Sequence, residues 1–534
     1  MPLTDISTYL ADRDSLMRQD RALRVDAIKL DNLSATEAAA DEIVRAMKAE
    51  EAVSVWGAER ADIERTFPGM EFLTSRSVIT KTRVFELLHK MPKGALLHAH
   101  LDATVDVNFL LGRILEQDAI YVRTCAPLTA LNPTANVLPE FSPFPKSEVK
   151  LSAGKSVTDP SYDGGWIPVK VARDNFSLEL GGPEGFDGWY VASTTINPAE
   201  AYGTHKTVTK IWEKFRETFG VTRDVIRFSP IFEAYVREFL LSSIEDGISY
   251  VEARVNFLFK TFFGPDGRST LAHRDMLRIY GDVVRGVKDE MKKQGREDEF
   301  VGSRIIYCTV KIVTPEELEW YTEDCLALKR EFPDLIAGFD LVGPEDTTKP
   351  IVDYLVPLLR FKDRQRELGV EIPFIFHAGE TLGDGTAADD NLYDAILLGT
   401  KRIGHGFSMI KHPKLMEICK ERKIAIEVCP ISNEILRYTT SIPMHPIASM
   451  LNHGMPVCLC SDDPSAFGNL GLSFDFYQVL VSSEQTGLIT LGEIALDSLK
   501  YSTLEGEEKE RAIAAWKKRW VKFLEDVVRD ASDL

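Results

Sequence analysis

Apolar residues in this chain gather into short runs, and the runs recur at intervals that leave room for a helix between them. Residues 248–255, 304–310, 336–341, 373–377, 402–405, 425–429 and 457–462 are each mostly apolar and short. That is the mark of strands buried on both faces, as in parallel sheets. With the run inside residues 91–104 they make eight. Segments such as 315–331 and 414–421 read as helices between strands. Eight βα units predict an α/β fold of the (β/α)8 barrel type, whose active site lies at the C-terminal ends of its strands.

The flanks follow other patterns. Residues 1–85 read as a helical extension. Ser34-Ala35-Thr36-Glu37 can open a helix as a capping box, and residues 38–52 are rich in Ala, Glu, Lys and Met, strong helix formers. The barrel is predicted over 86–515 and a terminal helix over 516–534. An irregular insertion at 106–205 interrupts the alternation, with turns marked by Asn132-Pro133-Thr134 and Asp163-Gly164-Gly165. A loop of that length inside a compact domain is usually functional. It leaves from the end of the first strand, so it is expected beside the barrel mouth. No internal repeat stands out.

Charge narrows the partners. Lys plus Arg total 63 and Asp plus Glu 82, a formal charge of −19. That balance opposes general binding to nucleic acid or to an anionic membrane. No apolar run approaches the roughly 20 residues of a membrane span. The first residues lack the basic start and apolar stretch of a signal peptide. The seven cysteines are an odd, scattered set with no Cys-x-x-Cys pair. Together these features predict a cytoplasmic protein.

Candidate chemistry sits at the predicted strand ends. In Gly94-Ala95-Leu96-Leu97-His98-Ala99-His100 the imidazoles at i and i+2 share one strand face. His377 ends an apolar run, and Asp462 ends another. Three imidazoles and one carboxylate suit one Zn²⁺, with other first-row divalent metals as the alternative. Glu380 follows His377 where the chain leaves its strand. A carboxyl beside an apolar strand end can have a raised pKa and act as a proton donor. His405 stands between two glycines, which let backbone approach a ligand closely. Its imidazole would orient or deprotonate a water at the metal. Asp463 adjoins Asp462, and Pro464 fits the start of a helix there. His445 and His453 belong to no such motif and are expected to matter far less.

These motifs resemble those of the adenosine deaminase superfamily, specifically its adenosine deaminase-related growth factor branch. The carrying residues are Met91-Pro92-Lys93-Gly94-Ala95-Leu96-Leu97-His98-Ala99-His100, Asp340-Leu341-Val342-Gly343, His377-Ala378-Gly379-Glu380, Gly404-His405-Gly406, Glu427-Val428-Cys429-Pro430-Ile431-Ser432-Asn433 and Ser461-Asp462-Asp463-Pro464. The similarity runs from about residue 70 to about 515 and is poor from about 105 to 205. It implies zinc-dependent hydrolytic deamination of adenosine or a related adenine nucleoside. Within that reading His98, His100, His377 and Asp462 bind the metal, Glu380 protonates N1 of the purine, and His405 handles the water. Asp463 would hold N7, the Gly343 N–H would meet N3, Asp102 would contact the ribose side, and Trp212 would border the sugar. In the same branch an N-terminal helical extension mediates dimerisation, which implies a homodimer. Related proteins are typically secreted, so the predicted cytoplasmic location departs from the branch.

Four alternatives remain at this level. The substrate can be an adenine nucleotide (AMP, ADP or ATP), met by Lys146, Lys150, Lys155, Lys170 and Arg173 of the insertion. The barrel can hydrolyse another amide or amidine, against which Asp340-Leu341-Val342-Gly343 fits a purine-contacting strand. The chain can be a nonenzymatic growth-factor-like binding protein, which the complete catalytic set opposes. An editing deaminase would carry His-x-Glu and Pro-Cys-x-x-Cys, which are absent.

Overall fold

The structure, a computed structural model, describes residues 5–129 and 137–532. Eight parallel strands form its centre: β1 (Gly94–Leu96), β2 (Ile248–Asn256), β3 (Gly302–Val310), β4 (Ile336–Val342), β5 (Ile375–Ala378), β6 (Arg402–His405), β7 (Ala425–Val428) and β8 (Val457–Leu459). They pair in chain order, β1 to β4 and β5 to β8. A parallel bridge between Phe339 and Phe374 joins the two runs, and one between Ala99 and Asp462 closes the ring. His100 N donates to Asp462 O at 2.9 Å and Asp462 N to His98 O at 3.1 Å at that seam. The predicted (β/α)8 barrel is therefore present.

The first strand is shorter than the apolar run predicts. Only Gly94–Leu96 is regular, and the register shifts between Gly94 and Ala95. Gly94 has φ +73°, and a Cβ there would lie 2.1 Å from Ala495 O. The strand passes its neighbour too closely for any other residue.

The barrel interior is charged where a barrel of this kind is usually aliphatic. Glu252 and Arg254 of β2, Asp340 of β4, Arg402 of β6 and Glu427 of β7 are all fully buried. Arg254 binds Asp340 through Nε and Glu427 through Nη2, both at 2.8 Å. Arg402 binds Glu427 through Nε and Glu252 through Nη2, both at 2.6 Å. Glu252 also accepts from Thr503 N and Oγ1 at 2.6 Å.

Outside the barrel, α1 (Ile6–Arg21) buries none of its residues. The next long helix, α2 (Ala35–Ser54), opens on Ser34 with both bonds of the predicted capping box. It packs against α4 (Gly506–Ser532), the terminal helix. That helix begins earlier than the predicted 516, with Glu507 and Glu508 in its first turn, where acidic groups suit the helix dipole. α3 (Val208–Ile226) is capped by Thr207, whose side chain accepts from Lys210 N.

The insertion is not irregular. It holds the helices Val107–Glu116 and Gly182–Thr194 and a three-stranded antiparallel sheet whose central strand is Ile120–Arg123. Val122, Phe141, Phe186, Trp189 and Tyr190 form its buried interior. Asp163 makes the expected turn, its Oδ1 accepting from Gly165 N at 3.1 Å. The Asn132-Pro133-Thr134 turn lies outside the described residues. No helix among those described is long and apolar enough to cross a membrane.

The buried ion network sets one expectation. Arg402→Met strands Glu252 and Glu427 as buried charges without their shared cation. The variant should lose about 3–5 kcal/mol of unfolding free energy in urea titrations. A loss under about 1 kcal/mol would show that the network is not a structural keystone.

Candidate active site

The residues that matter most lie where the strands end. His98 and His100 follow β1, His377 lies in β5, His405 ends β6, and Asp462 follows β8. Ligand atoms of His98, His100, His377 and Asp462 all fall within 4.8 Å of one another. Asp462 Oδ1 is 3.2 Å from His98 Nε2 and 3.4 Å from His100 Nε2. The outer nitrogens of two imidazoles are already committed. His98 Nδ1 donates to Glu427 Oε2 at 2.8 Å, and His377 Nδ1 donates to Asp340 Oδ2 at 2.7 Å. Their Nε2 atoms therefore face the cluster as lone pairs, the arrangement that orients metal-bound histidines.

The cluster fits a cation. His98 Nε2 and Asp462 Oδ1 are buried and have no hydrogen-bond partner; such atoms cost about 1–3 kcal/mol each when left unsatisfied. Burial and the surrounding imidazoles push His377 well below its ordinary range, so it is neutral. Burial opposes ionisation of Asp462, but His405, His100 and His98 together hold its carboxyl well below the usual range. Neutral imidazoles and an ionised carboxylate are the forms a metal requires. A second grouping, His98, His405, Cys429 and Asp462, has similar spacing. It is the poorer set, because burial pushes the Cys429 thiol up and keeps it protonated.

Two of these residues carry backbone strain. His405 has φ +62° and Asp462 φ +60°, a left-handed conformation that costs an ordinary residue about 1–2 kcal/mol. Hydrogen bonds on both sides enforce it, from Gly406 N to Ala378 O at 3.2 Å and from Asp462 N to His98 O at 3.1 Å. The distortion turns both side chains toward the cluster.

Acids surround the metal donors. Glu380 is held well above the ordinary carboxylate range by burial, then by Asp462 and Glu345. Its Oε1 is unpartnered and lies 3.5 Å from His405 Nδ1. Asp463 is likewise pushed up, by burial, then Asp462 and Asp102, and its Oδ1 is also unpartnered. Burial raises Asp102 too. Three carboxyls thus favour the protonated, donating form beside one that is ionised.

A relay fixes the tautomer of His405. Ile447 N donates to His445 Nδ1 at 3.0 Å, so His445 carries its proton on Nε2 and donates to Asn433 Oδ1 at 3.0 Å. The Asn433 amide then donates to His405 Nδ1 at 3.2 Å. His405 must hold its proton on Nε2, which lies 3.7 Å from Asp462 Oδ2. Burial drops its pKa to about 3. His445 is therefore part of the site, contrary to its position outside every motif. His453 is exposed, and its ring bonds Ser449 O.

These groups open onto a pocket of about 450 Å³. His100, Asp102, His377, Glu380, His405, Asp462 and Asp463 line it, as do Trp212 and Gly343. Trp212 Nε1 donates to Tyr438 OH at 2.9 Å, which holds the indole at the wall. Gly343 has φ +116°. The insertion contributes no lining residue among those described. Lys146, Lys150, Lys155, Lys170 and Arg173 lie elsewhere, and Arg173 is paired with Asp187 at 2.7 Å. The expectation that these five meet the substrate is overturned, because the insertion folds on its own core. The basic residues at the pocket are Arg216, Arg223 and Arg227 of α3 and the turn after it.

Arg254, Arg402, Glu252, His445 and Glu345 are functional neighbours that sequence reasoning missed. Glu345 Oε1 accepts from Glu380 N at 2.8 Å. The available signal was a charge inside an apolar strand, as in Tyr250-Val251-Glu252-Ala253-Arg254.

Known proteins share this framework. The sequence profile of the adenosine deaminase family matches residues 191–518. Adenosine deaminase 2-A of Danio rerio is 34% identical over 464 residues, 86% of this chain and 84% of its own. Adenosine deaminase 2 of Homo sapiens is 32% identical over 480 residues, 88% of this chain and 86% of its own. Among solved structures, Arabidopsis ADAL complexed with IMP aligns over 82% of this chain and 99% of its own, with a TM-score of 0.52 at 16% identity. An amidohydrolase from Burkholderia ambifaria, solved with bound Zn, aligns over 83% and 94%, with a TM-score of 0.51 at 15% identity. The two structures share the fold; the sequence matches carry the kinship. The chain belongs to the adenosine deaminase family, hydrolases that act on carbon–nitrogen bonds.

Proposed function

We propose that this protein is a zinc-dependent hydrolase that converts adenosine and water to the 6-oxo purine nucleoside and ammonia. One observation carries the proposal: four metal donors, three of them buried, converge beside a protonated acid, Glu380, at the end of one pocket. His98, His100, His377 and Asp462 hold one zinc per chain. A zinc held there supplies the Lewis acidity that lowers the pKa of water toward about 7.

The chain's own groups do the rest. Ser432 Oγ donates to Asp462 Oδ2 at 2.7 Å and fixes the carboxylate. His405, protonated on Nε2, orients the attacking water by donating to it; the relay supports this role over that of a resting-state base. Glu380 donates its proton to N1, which draws electron density from C6. Asp463, also protonated, donates to N7, and the Gly343 N–H faces N3. Asp102 meets the ribose, and Trp212 covers the sugar. The C6–O bond forms first; the C6–N bond then breaks, one proton of the water leaving with the amine as ammonia and the other restoring the Glu380 acid, so that C6=O and N1–H remain.

Assembly follows the same family reading, whereas location departs from it. Ile6, Tyr9, Leu10 and Leu16 of α1 are exposed apolar side chains, which supports a homodimer formed through this helix. The scattered, odd set of seven cysteines supports a reducing, cytoplasmic setting, which cell fractionation tests.

Three measurements check the proposal. Glu380→Gln should lower kcat for adenosine on the order of 10²-fold or more, with circular dichroism and zinc content unchanged; near-normal turnover would remove Glu380 as the donor. In the intact enzyme the acid form of Glu380 is the active one. Its pKa lies well above the ordinary carboxylate range, so kcat should persist at pH values where an ordinary carboxyl has already ionised and fall as pH rises through the raised pKa.

His445→Ala should cut kcat by about tenfold while zinc stays bound, because Asn433 loses the partner that sets its amide. His453→Ala should behave as the parent. Equal rates in both variants would refute the relay.

Light scattering at micromolar concentration should give twice the chain mass, and removal of residues 1–21 should halve it. A monomeric full-length protein would end the dimer proposal.

A further inference from the structure

The pocket extends well beyond the catalytic groups, and its two ends differ in charge. Its four lining carboxyls, Asp102, Glu380, Asp462 and Asp463, lie at the metal end. Away from them the wall is α3, whose pocket-lining residues Trp212, Arg216, Phe219, Arg223 and Ile226 recur at three- and four-residue spacing. That spacing puts them in one stripe along the helix.

The direction of the stripe follows from a shared contact. Asp102 and Phe219 line one small cleft next to the pocket. A path from the metal past Asp102 therefore reaches Phe219. Arg223 lies one turn beyond Phe219, and Arg216 one turn before it. In the proposed pose Asp102 meets the ribose, which sets the sugar next to the stretch of α3 that carries these two pocket-lining arginines.

The arginines differ in what they already hold. Arg227 is occupied: it bonds the Thr261 carbonyl and Asp224, and its guanidinium lies 4.2 Å from the Phe259 ring centre. Arg223 gives only Nε, to Asp224 at 3.0 Å, and its guanidinium lies 5.1 Å from the same ring centre. Its terminal Nη groups have no partner among the described residues. Arg216 has neither an ion pair nor a hydrogen bond among the described residues. Two guanidinium groups with open donors thus face a cleft in a chain of net charge −19. A guanidinium fork matches a phosphate in shape and charge. Adenosine offers it nothing anionic.

We infer that the pocket accepts adenosine carrying a 5′-phosphate, with Arg216 and Arg223 as the phosphate-binding residues. This rests on the deaminase reading of the metal end and names the substrate class for the rest of the pocket.

The test compares initial rates with adenosine, AMP, ADP and ATP for the zinc-loaded full-length enzyme and for its Arg216→Gln/Arg223→Gln variant. Both positions are exposed enough for glutamine to be accommodated. At least one nucleotide should be deaminated with kcat/KM equal to or above that of adenosine. The double variant should lower the nucleotide-to-adenosine ratio of kcat/KM by about tenfold or more, as expected for lost charge-assisted bonds. Rising salt should reduce the same ratio in the parent enzyme, because partly exposed charges are screened. Efficient adenosine turnover with all three nucleotides ignored would overturn the inference and leave the deaminase reading standing. So would a ratio unchanged by the double substitution. Failure with all four substrates would instead strike the deaminase reading itself.

Discussion

The site depends on one guanidinium. Arg254 holds Asp340 with one nitrogen and Glu427 with another, and these two carboxylates are the acceptors for His377 and His98. A single buried cation thereby orients two imidazoles from strands on opposite sides of the barrel. Burial alone would push Glu427 toward its neutral form, but Arg254, Arg402 and His98 keep its carboxyl well below the usual range. A neutral Glu427 would be a weaker acceptor for His98, whose Nε2 would then lose its fixed aim. Buried ion pairs seldom stabilise a protein better than well-packed apolar side chains of the same volume. The charges in this interior are better explained by what they do for the histidines above them.

The same economy holds one layer out. Neighbouring strands of the barrel pair in register, so side chains at their ends are placed by the sheet. His405 and Asp462 take left-handed backbone at those ends, and the strain is tolerated because neighbouring strands bond the chain on both sides. Asn433 and His445 complete the arrangement by choosing which nitrogen of His405 carries the proton. Burial then makes donors of the acids, aided by an ionised Asp462 close to Glu380 and Asp463 that disfavours further negative charge.

Much of this was legible in the chain. Barrel strands read clearly because both faces are buried, leaving continuous apolar runs such as Ile375-Phe376 and Val457-Cys458-Leu459. The candidate metal donors were legible because each lies at or after the end of such a run. The insertion was misread for the opposite reason. Its strands are two to four residues long and exist only through pairing with distant segments, so no local period marks them. Its basic residues were expected at the pocket because the segment leaves the first strand there, yet it packs on itself. Arg216 and Arg223 took that place through the facing of a helix, which depends on the assembled fold. Glu252, Arg254, Arg402 and Glu427 were visible as charges in apolar surroundings. Their partners come from strands up to 173 positions apart, and only closure of the barrel brings them together.

The central claim is that these converging donors make one metal site on which deamination depends. Stepwise return of zinc to metal-free protein, with adenosine deamination followed at each addition, tests it most directly. Activity should rise linearly and stop at one zinc per chain. Full activity in the metal-free protein, or a plateau unrelated to that ratio, would contradict the account.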